Sequence, residues 1–303
     1  MKKKILVLGG GYSKERSISL KSAKAVIKSI KNKYKVKFAD PCNNFFKTVE
    51  NFKPDVIFNA LHGRFGEDGY IQSILETLAI KYTHSGVKSS MSAMDKEISK
   101  KIFLKHKILT PKYIKIKNNI EDLNYKRIKK YLSYPVVIKP INEGSSLDVF
   151  ICEDKLSLSK KLKKLRHYRE LLIEKFIPGR EIQVAILDKF KLGAIELKPK
   201  RMFYDYEAKY NPNARTEHII PVNMSKKNYN KVTSIALKAH NLLKCRGVTR
   251  SDFRFYKNKF YLLEINTQPG MTSLSLVPEI AKYKKISFIQ LIEKILNDAS
   301  IDK

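Results

Sequence analysis

The 303-residue chain carries 61 Lys and Arg against 29 Asp and Glu, a formal net charge of +32, with 43% hydrophobic and 10% aromatic residues. That suffices for one compact enzyme of two or three units with sizeable cores, and no apolar run approaches the ~18 residues of a membrane span. The charge does not mark a nucleic-acid binder: eleven Arg and fifty Lys are spread along the chain, whereas Arg is preferred for bidentate phosphate contacts. It is read as compositional drift that still assists capture of an anionic substrate.

Residues 4–8 (KILVL) form an apolar stretch between a basic end and Gly9-Gly10-Gly11. It is too short for the core of a signal peptide and reads as a first buried strand. The glycines form an ordinary tight turn. A helix is expected over 16–30, a buried strand over 56–61 (VIFNAL) and a helix over 70–79. Strands alternating with helices predict a parallel α/β sheet. A helix beginning near Met91–Met94 runs to about His106, and Pro111 marks a break.

Residues 113–177 supply strands YIKI, PVVIKP, VFICE and ELLIEKFI, with lysine-rich amphipathic helices near 121–132 and 157–166. A third unit starts near Pro178-Gly179. It holds strands 181–188 and 192–198, a polar aromatic loop 201–216, a helix 225–243, a hairpin of 248–256 with 259–267, and a helix 287–296. The units are divided as 1–95, 96–178 and 179–303. There is no internal repeat. Cys42, Cys152 and Cys245 are scattered and form no CxxC, which fits a reduced cytoplasmic setting better than a disulfide framework.

Three features carry chemistry. In the hairpin, a turn centred on Asn258 sets Asp252 opposite Glu264, and alternation puts Arg250, Asp252, Glu264 and Asn266 on one face with Phe253, Leu263 and Ile265 in the core. Opposed carboxylates repel. Either a hard divalent cation such as Mg²⁺ relieves this, or neighbouring Arg and Lys or solvent do. In the second feature, strand 135–140 delivers Lys139 to a small-residue loop, Ile141 to Ser146, whose N–H groups and hydroxyls suit phosphate. It lacks the order of a P-loop, and a plain hairpin turn with an exposed lysine is the alternative. In the third, strand 171–177 ends at Pro178-Gly179 with Glu181 shortly after, a crevice suited to adenine and ribose.

Six motifs in order then carry a resemblance. They are Ser13-Lys14-Glu15-Arg16-Ser17-Ile18-Ser19-Leu20, His62-Gly63-Arg64-Phe65-Gly66-Glu67-Asp68-Gly69, Ser92-Ala93-Met94-Asp95-Lys96, Glu143-Gly144-Ser145-Ser146, Phe203-Tyr204-Asp205-Tyr206-Glu207-Ala208-Lys209-Tyr210 and Leu263-Glu264-Ile265-Asn266-Thr267-Gln268-Pro269-Gly270-Met271-Thr272. Together they resemble the D-alanine:D-alanine ligases across nearly the whole chain. The resemblance implies an N-terminal parallel α/β domain followed by an ATP-grasp fold of two α+β subdomains. The implied activity joins two D-alanines through a D-alanyl phosphate, for peptidoglycan precursors. It further implies a cytoplasmic homodimer that binds neither nucleic acid nor membrane.

The resemblance also assigns residues. Lys96 and Lys139 would contact the ATP phosphates, assisted by Glu143 and Ser146 of the loop. Glu174, Lys175, Ile177 and Glu181 would hold adenine and ribose, and Lys209 would approach the γ-phosphate. Asp252, Glu264 and Asn266 would bind two Mg²⁺ or Mn²⁺. Glu15 would hold the first D-alanine's ammonium, with His62 near its carboxylate. Ser145 and Tyr210 would form a hydrogen-bonded chain with Glu15. Arg250 and the Gly270 N–H would stabilise oxyanions, and Ser275 and Leu276 would receive the second D-alanine's carboxylate. Loop 201–216 would be a lid. Tyr210 argues against a D-alanine:D-lactate enzyme, which lacks the tyrosine in this arrangement. One departure stands out: Asp148 occupies a position where the family has glycine. Asp tolerates left-handed backbone, but a carboxylate near the phosphates would weaken nucleotide binding.

Overall fold

The computed structural model describes residues 2–43, 45–117, 123–145, 147–199, 216–272 and 275–302. Strands β1 (Lys4–Leu8), β2 (Lys35–Ala39) and β3 (Val56–Asn59) pair in parallel in the order β2-β1-β3. Four of the five residues of β1 and all of β3 are buried, which is why both read as apolar runs. The sheet's third strand escaped the sequence reading because it is an exposed edge, with Ala39 its one buried residue. Helix α1 (Arg16–Ile30) returns the chain over the sheet. Gly10 is needed in the intervening turn: its φ is +89°, and a Cβ there would collide with the Asp40 carboxylate. The turn's amides are already bound, Gly10 N–H donating to Ser19 Oγ at 2.9 Å and Gly11 N–H to Asp40 Oδ1 at 3.0 Å.

Helices α2 (Phe45–Phe52) and α3 (Tyr70–Thr77) follow. The single helix expected to end near His106 is two, α4 (Val87–Met94) and α5 (Lys96–Lys105). They meet at Asp95, whose extended backbone ends one and whose side chain accepts from Glu97 N and Ile98 N, at 2.9 Å each, to cap the next. The cap aims the first residue of α5, Lys96, at the site.

A second, antiparallel sheet contains β4 (Tyr113–Lys117), β5 (Val136–Pro140), β6 (Phe150–Cys152) and β7 (Glu170–Lys175), in the order β4-β7-β5-β6. Its core joins Val136, Ile138, Leu171 and Ile173 to Ile128 and Leu132 of α6 (Tyr125–Leu132) and Leu158 and Leu162 of α7 (Lys155–Lys164). Those apolar positions sit one helical turn apart, leaving the lysines outward.

The third sheet is antiparallel, ordered β10-β9-β8-β11-β12, from β8 (Arg180–Leu187), β9 (Phe190–Lys198), β10 (Glu217–Ile219), β11 (Val248–Tyr256) and β12 (Lys259–Asn266). One face packs on α8 (Lys226–Leu242), with Ile182, Val184 and Phe253 against Val232, Ala236 and Ala239. The other face shares a core with the N-terminal sheet. Ala185, Leu187 and Ile195 belong to one cluster with Ile5, Val7 and Phe58, completed by α9 (Leu276–Tyr283) and α10 (Phe288–Asn297). Helix α9 was not anticipated because it contains Pro278; proline is tolerated there because N–H groups of the first turn have no intrahelical partner.

Candidate active site

The hairpin turn is made by Lys257 and Asn258, both left-handed at φ +46° and +58°. It sets Asp252 opposite Glu264 and Arg250 opposite Asn266, the register the spacing predicts. After Asp252 the register slips, so Phe253 faces Leu262. Leu262 is therefore the buried residue, and Leu263, expected in the core, is half-buried and lines a crevice. Arg250 donates to both Asp252 oxygens, at 2.8 and 3.0 Å. Glu264 has the Lys96 ammonium at 3.6 Å. Asn266 Oδ1 accepts from Gln268 N–H at 2.8 Å. The Gln268 side chain accepts from Asn59 at 2.7 Å and donates to the Leu61 carbonyl, tying this loop to the N-terminal sheet.

Strand β5 delivers Lys139, and the loop beyond it turns back into β6 as a hairpin. The lysine is not exposed, however: it is 5% accessible and donates to Glu174 Oε1 at 2.6 Å. Lys100 reaches the other oxygen, Oε2, at 2.9 Å. Burial alone would raise Glu174, but Lys100 and Lys139 outweigh it and hold the carboxyl below its usual range. Lys96 donates to the Glu143 carbonyl at 2.5 Å. Burial pulls Lys96 below an ordinary lysine, with Glu264 opposing and Lys139 adding to the fall. Three ammonium groups thus face two carboxylates, a local excess of positive charge suited to an anion.

Lys96 and Lys139 border a crevice of about 60 Å³ between the second and third sheets, also lined by Glu174, Lys175, Ile177, Glu181 and Asp252. The Glu174 carboxylate is turned to the lysines. Glu181 pairs with Arg254 at 3.1 Å and accepts from Gln183 at 3.2 Å. The Lys175 ammonium donates to the Ser133 carbonyl at 3.2 Å. Asp148 adopts φ +55°, as a glycine position demands. Its carboxylate accepts from the Tyr168 hydroxyl at 2.7 Å, and Val149, not Asp148, lines the crevice. The Asp148 carboxylate is thus engaged by Tyr168 and does not border the crevice.

A larger cavity of about 430 Å³ adjoins the crevice. Its wall gathers Glu15 and His62 from the N-terminal unit, Lys96, Glu143 and Ser145 from the middle, and Arg250, Glu264, Asn266, Gly270, Ser275 and Leu276 from the third. Glu15 is 4% accessible at the start of α1, and the Ser145 hydroxyl donates to it. Gly63, at φ +71°, makes room: a Cβ there would lie 3.1 Å from Glu15 Oε1. His62 has Glu67 on Nδ1 at 3.1 Å and Ser22 on Nε2 at 3.0 Å, and Ser22 Oγ also accepts from Met271 N–H. The Nδ1–H tautomer satisfies all three contacts. Ser275 precedes α9 without capping it; its hydroxyl accepts from Thr272 N–H at 2.9 Å.

Ser146, Lys209, Tyr210 and most of the lid loop 201–216 lie outside the described residues. Sequence reasoning passed over Ser22, Lys100 and Thr110. Lys100 had a signal, since it stands four residues after Lys96 on one helical face. Among the described residues no group of three or more His, Cys, Asp or Glu is placed to hold a metal.

Two family models match the chain, described as D-ala D-ala ligase C-terminus over residues 103–297 and D-ala D-ala ligase N-terminus over residues 39–85. The chain is 66% identical over 305 residues to a D-alanine--D-alanine ligase of Pelagibacter ubique, covering 100% of both. It is 44% identical over 302 residues to that of Wolbachia pipientis, covering 97% of this chain and 94% of that one. The Bacillus anthracis ligase solved in complex with ATP superposes with a TM-score of 0.86 at 33% identity, over 98% of this chain and 97% of that one.

Proposed function

This chain belongs to the D-alanine:D-alanine ligase family, with the ATP-grasp fold and the ATP-dependent ligation of two D-alanines for peptidoglycan precursors, and we propose that the 430 Å³ cavity is where the two amino acids meet. One observation carries that reading: Glu15 and His62 of the first unit face Arg250, Gly270 and Ser275 of the third across one space.

A carboxylate is a poor acyl donor. The first D-alanine therefore attacks the γ-phosphate of ATP through its carboxylate and becomes D-alanyl phosphate, releasing ADP. In this reading Glu15 anchors its ammonium, with His62 near the carboxylate. Lys96 and Lys139 offset charge as the phosphoryl group moves, with Glu143 beside them. Glu174, Lys175, Ile177 and Glu181 border adenine and ribose. The amine of the second D-alanine then attacks the activated carbonyl, its own carboxylate received by Ser275 and Leu276 at the start of α9, where the helix dipole favours an anion. Arg250 and the Gly270 N–H steady the tetrahedral oxyanion, a role typically worth ~3–4 kcal/mol. Phosphate then leaves.

Asp252, Glu264 and Asn266 suit two Mg²⁺ or Mn²⁺: their oxygens are hard donors on one hairpin face, and the two carboxylates stand directly opposite each other. The protein brings few ligands, as expected where substrate phosphates complete the shell. Bound there, the ions would neutralise phosphate charge during transfer.

Ser146, Lys209, Tyr210 and the lid retain their roles from the motif match. The units 1–95, 96–178 and 179–303 and a cytoplasmic homodimer complete the reading, supported by family resemblance; no described helix is long and apolar enough to cross a membrane. ADP release measured with D-alanine against a panel of amino acids tests it. Selective turnover of D-alanine is expected, and equal turnover of L-alanine would reject the cavity assignment.

A further inference from the structure

Lys100 lies one turn beyond Lys96 on α5, is fully buried, and lines neither the crevice nor the cavity. Its ammonium reaches Glu174 Oε2 at 2.9 Å and donates to Thr110 Oγ1 at 2.6 Å. The other carboxylate oxygen, Oε1, accepts from Lys139 at 2.6 Å. Glu174 therefore holds one ammonium on each oxygen. The two cations differ in one respect: Lys139 borders the crevice and Lys100 is sealed behind it.

We propose that Lys100 is a positioning residue for nucleotide binding, a fixed counter-ion that keeps Glu174 paired while Lys139 exchanges that carboxylate for a phosphate oxygen. The inference rests on the reading that Lys139 meets the ATP phosphates. Glu174 is 3% accessible. A carboxylate that buried is costly to leave unpaired, so with Lys139 as its one partner it would hold that lysine back from the nucleotide. With Lys100 in place, the carboxylate remains compensated when Lys139 turns away. Burial pulls the Lys100 ammonium down to about 8, with Glu174 opposing the fall, so it is still protonated at neutral pH. A lysine that merely filled space there would be replaceable by an apolar chain of similar volume.

The test compares Lys100→Met, Lys139→Met, Glu174→Gln and the double variant Lys100→Met/Glu174→Gln. It reads the Kd for ADP by calorimetry in the presence of Mg²⁺, the KM for D-alanine, and the thermal midpoint. Lys100→Met should weaken ADP about tenfold while the KM for D-alanine changes less than about twofold, because Glu174, left with Lys139 alone, holds that lysine back from the phosphates. Glu174 itself borders the nucleotide, so the double variant is read against Glu174→Gln alone, where the loss of Lys100 should change ADP affinity less than about twofold. A purely structural role predicts a lower midpoint and unchanged ADP affinity. Should Lys100→Met fail to fold, Lys100→Gln keeps hydrogen bonding without the charge and carries the same expectation. ADP affinity at wild-type level in a folded Lys100 variant, or a double variant about tenfold weaker than Glu174→Gln alone, overturns the proposal while leaving Lys139's role intact. Wild-type affinity in Lys139→Met overturns the underlying reading, and the proposal with it.

Discussion

Arg250 and Asp252, two residues apart on one face of β11, share a bidentate ion pair of 2.8 and 3.0 Å. The pair fixes the guanidinium plane at the cavity wall and gives Asp252 a counter-charge before any cation arrives. Sequence spacing left a cation and an Arg partner as alternatives for this carboxylate. The geometry lets both apply, since a carboxylate offers about four lone-pair directions.

Asp252→Asn and Glu264→Gln should each lower ADP release by about a hundredfold or more, in line with loss of a group that stabilises transferred charge, with the fold intact by circular dichroism. Both keep side-chain volume and delete one negative charge. Near-normal turnover in both at saturating Mg²⁺ would make the hairpin carboxylates structural.

Glu15→Gln should raise the KM for D-alanine about tenfold or more while ADP affinity stays near wild type, because a charge-assisted anchor for the ammonium is lost. The competing account is an acid at a helix start, worth ~0.3–1 kcal/mol of stability. It predicts a small shift in midpoint and ordinary kinetics. The same anchor bears on handedness: with ammonium and carboxylate both held, the methyl of L-alanine must enter the wall, at about 1–3 kcal/mol.

Asp148→Gly should leave the KM for ATP within about twofold of wild type, since the carboxylate engages Tyr168 rather than the crevice. Stability should change by less than about 1 kcal/mol: glycine relieves the left-handed backbone, and the lost Tyr168 hydrogen bond offsets it. A clear fall in KM would place the charge near the phosphates after all.

Two histidines make stability depend on pH. Burial holds His84 down to about 3, with His62 and Arg246 adding to it. Burial likewise brings His240 to about 4, against Asp188. Unfolded histidines bind protons near 6.5 while these do not, so the unfolded chain holds more protons between. Stability is full above about pH 7 and falls as pH drops toward 4, by about 2 kcal/mol for a histidine like His240 at pH 5. Urea midpoints at pH 7 and pH 5 measure this. His84→Asn, suited to the positive φ there, and His240→Gln should each remove part of the difference, and an undiminished difference in both would assign it elsewhere.

Much of the hairpin was legible because a period of two and a two-residue turn set the register, yet the slip after Asp252 moved Leu263 out of the core and no spacing rule signals it. The motif residues of the cavity were legible as a constellation, while their second partners were not. Ser22 and Thr110 carry no distinctive pattern, and what makes them matter is the partner each meets from a distant segment, Met271 for one and Lys100 for the other. Asp95 shows a local limit: one helix is expected from near Met91–Met94 to about His106, and a single extended residue divides that stretch between two helices.

The core shared by the first and third sheets sets an order on synthesis. Val26 and Ile30 of α1 pack in one cluster with Leu291, Ile292, Ile295 and Leu296 of α10, and Tyr82 pairs with Ser300. On the ribosome, the N-terminal sheet emerges long before the helix that covers it, with an apolar face bare. Such a face invites chaperones or misassembly until the last helix is made. The cavity proposed for D-alanine has Glu15 on one side of this seam and Ser275 on the other, so it takes shape only after both have been made.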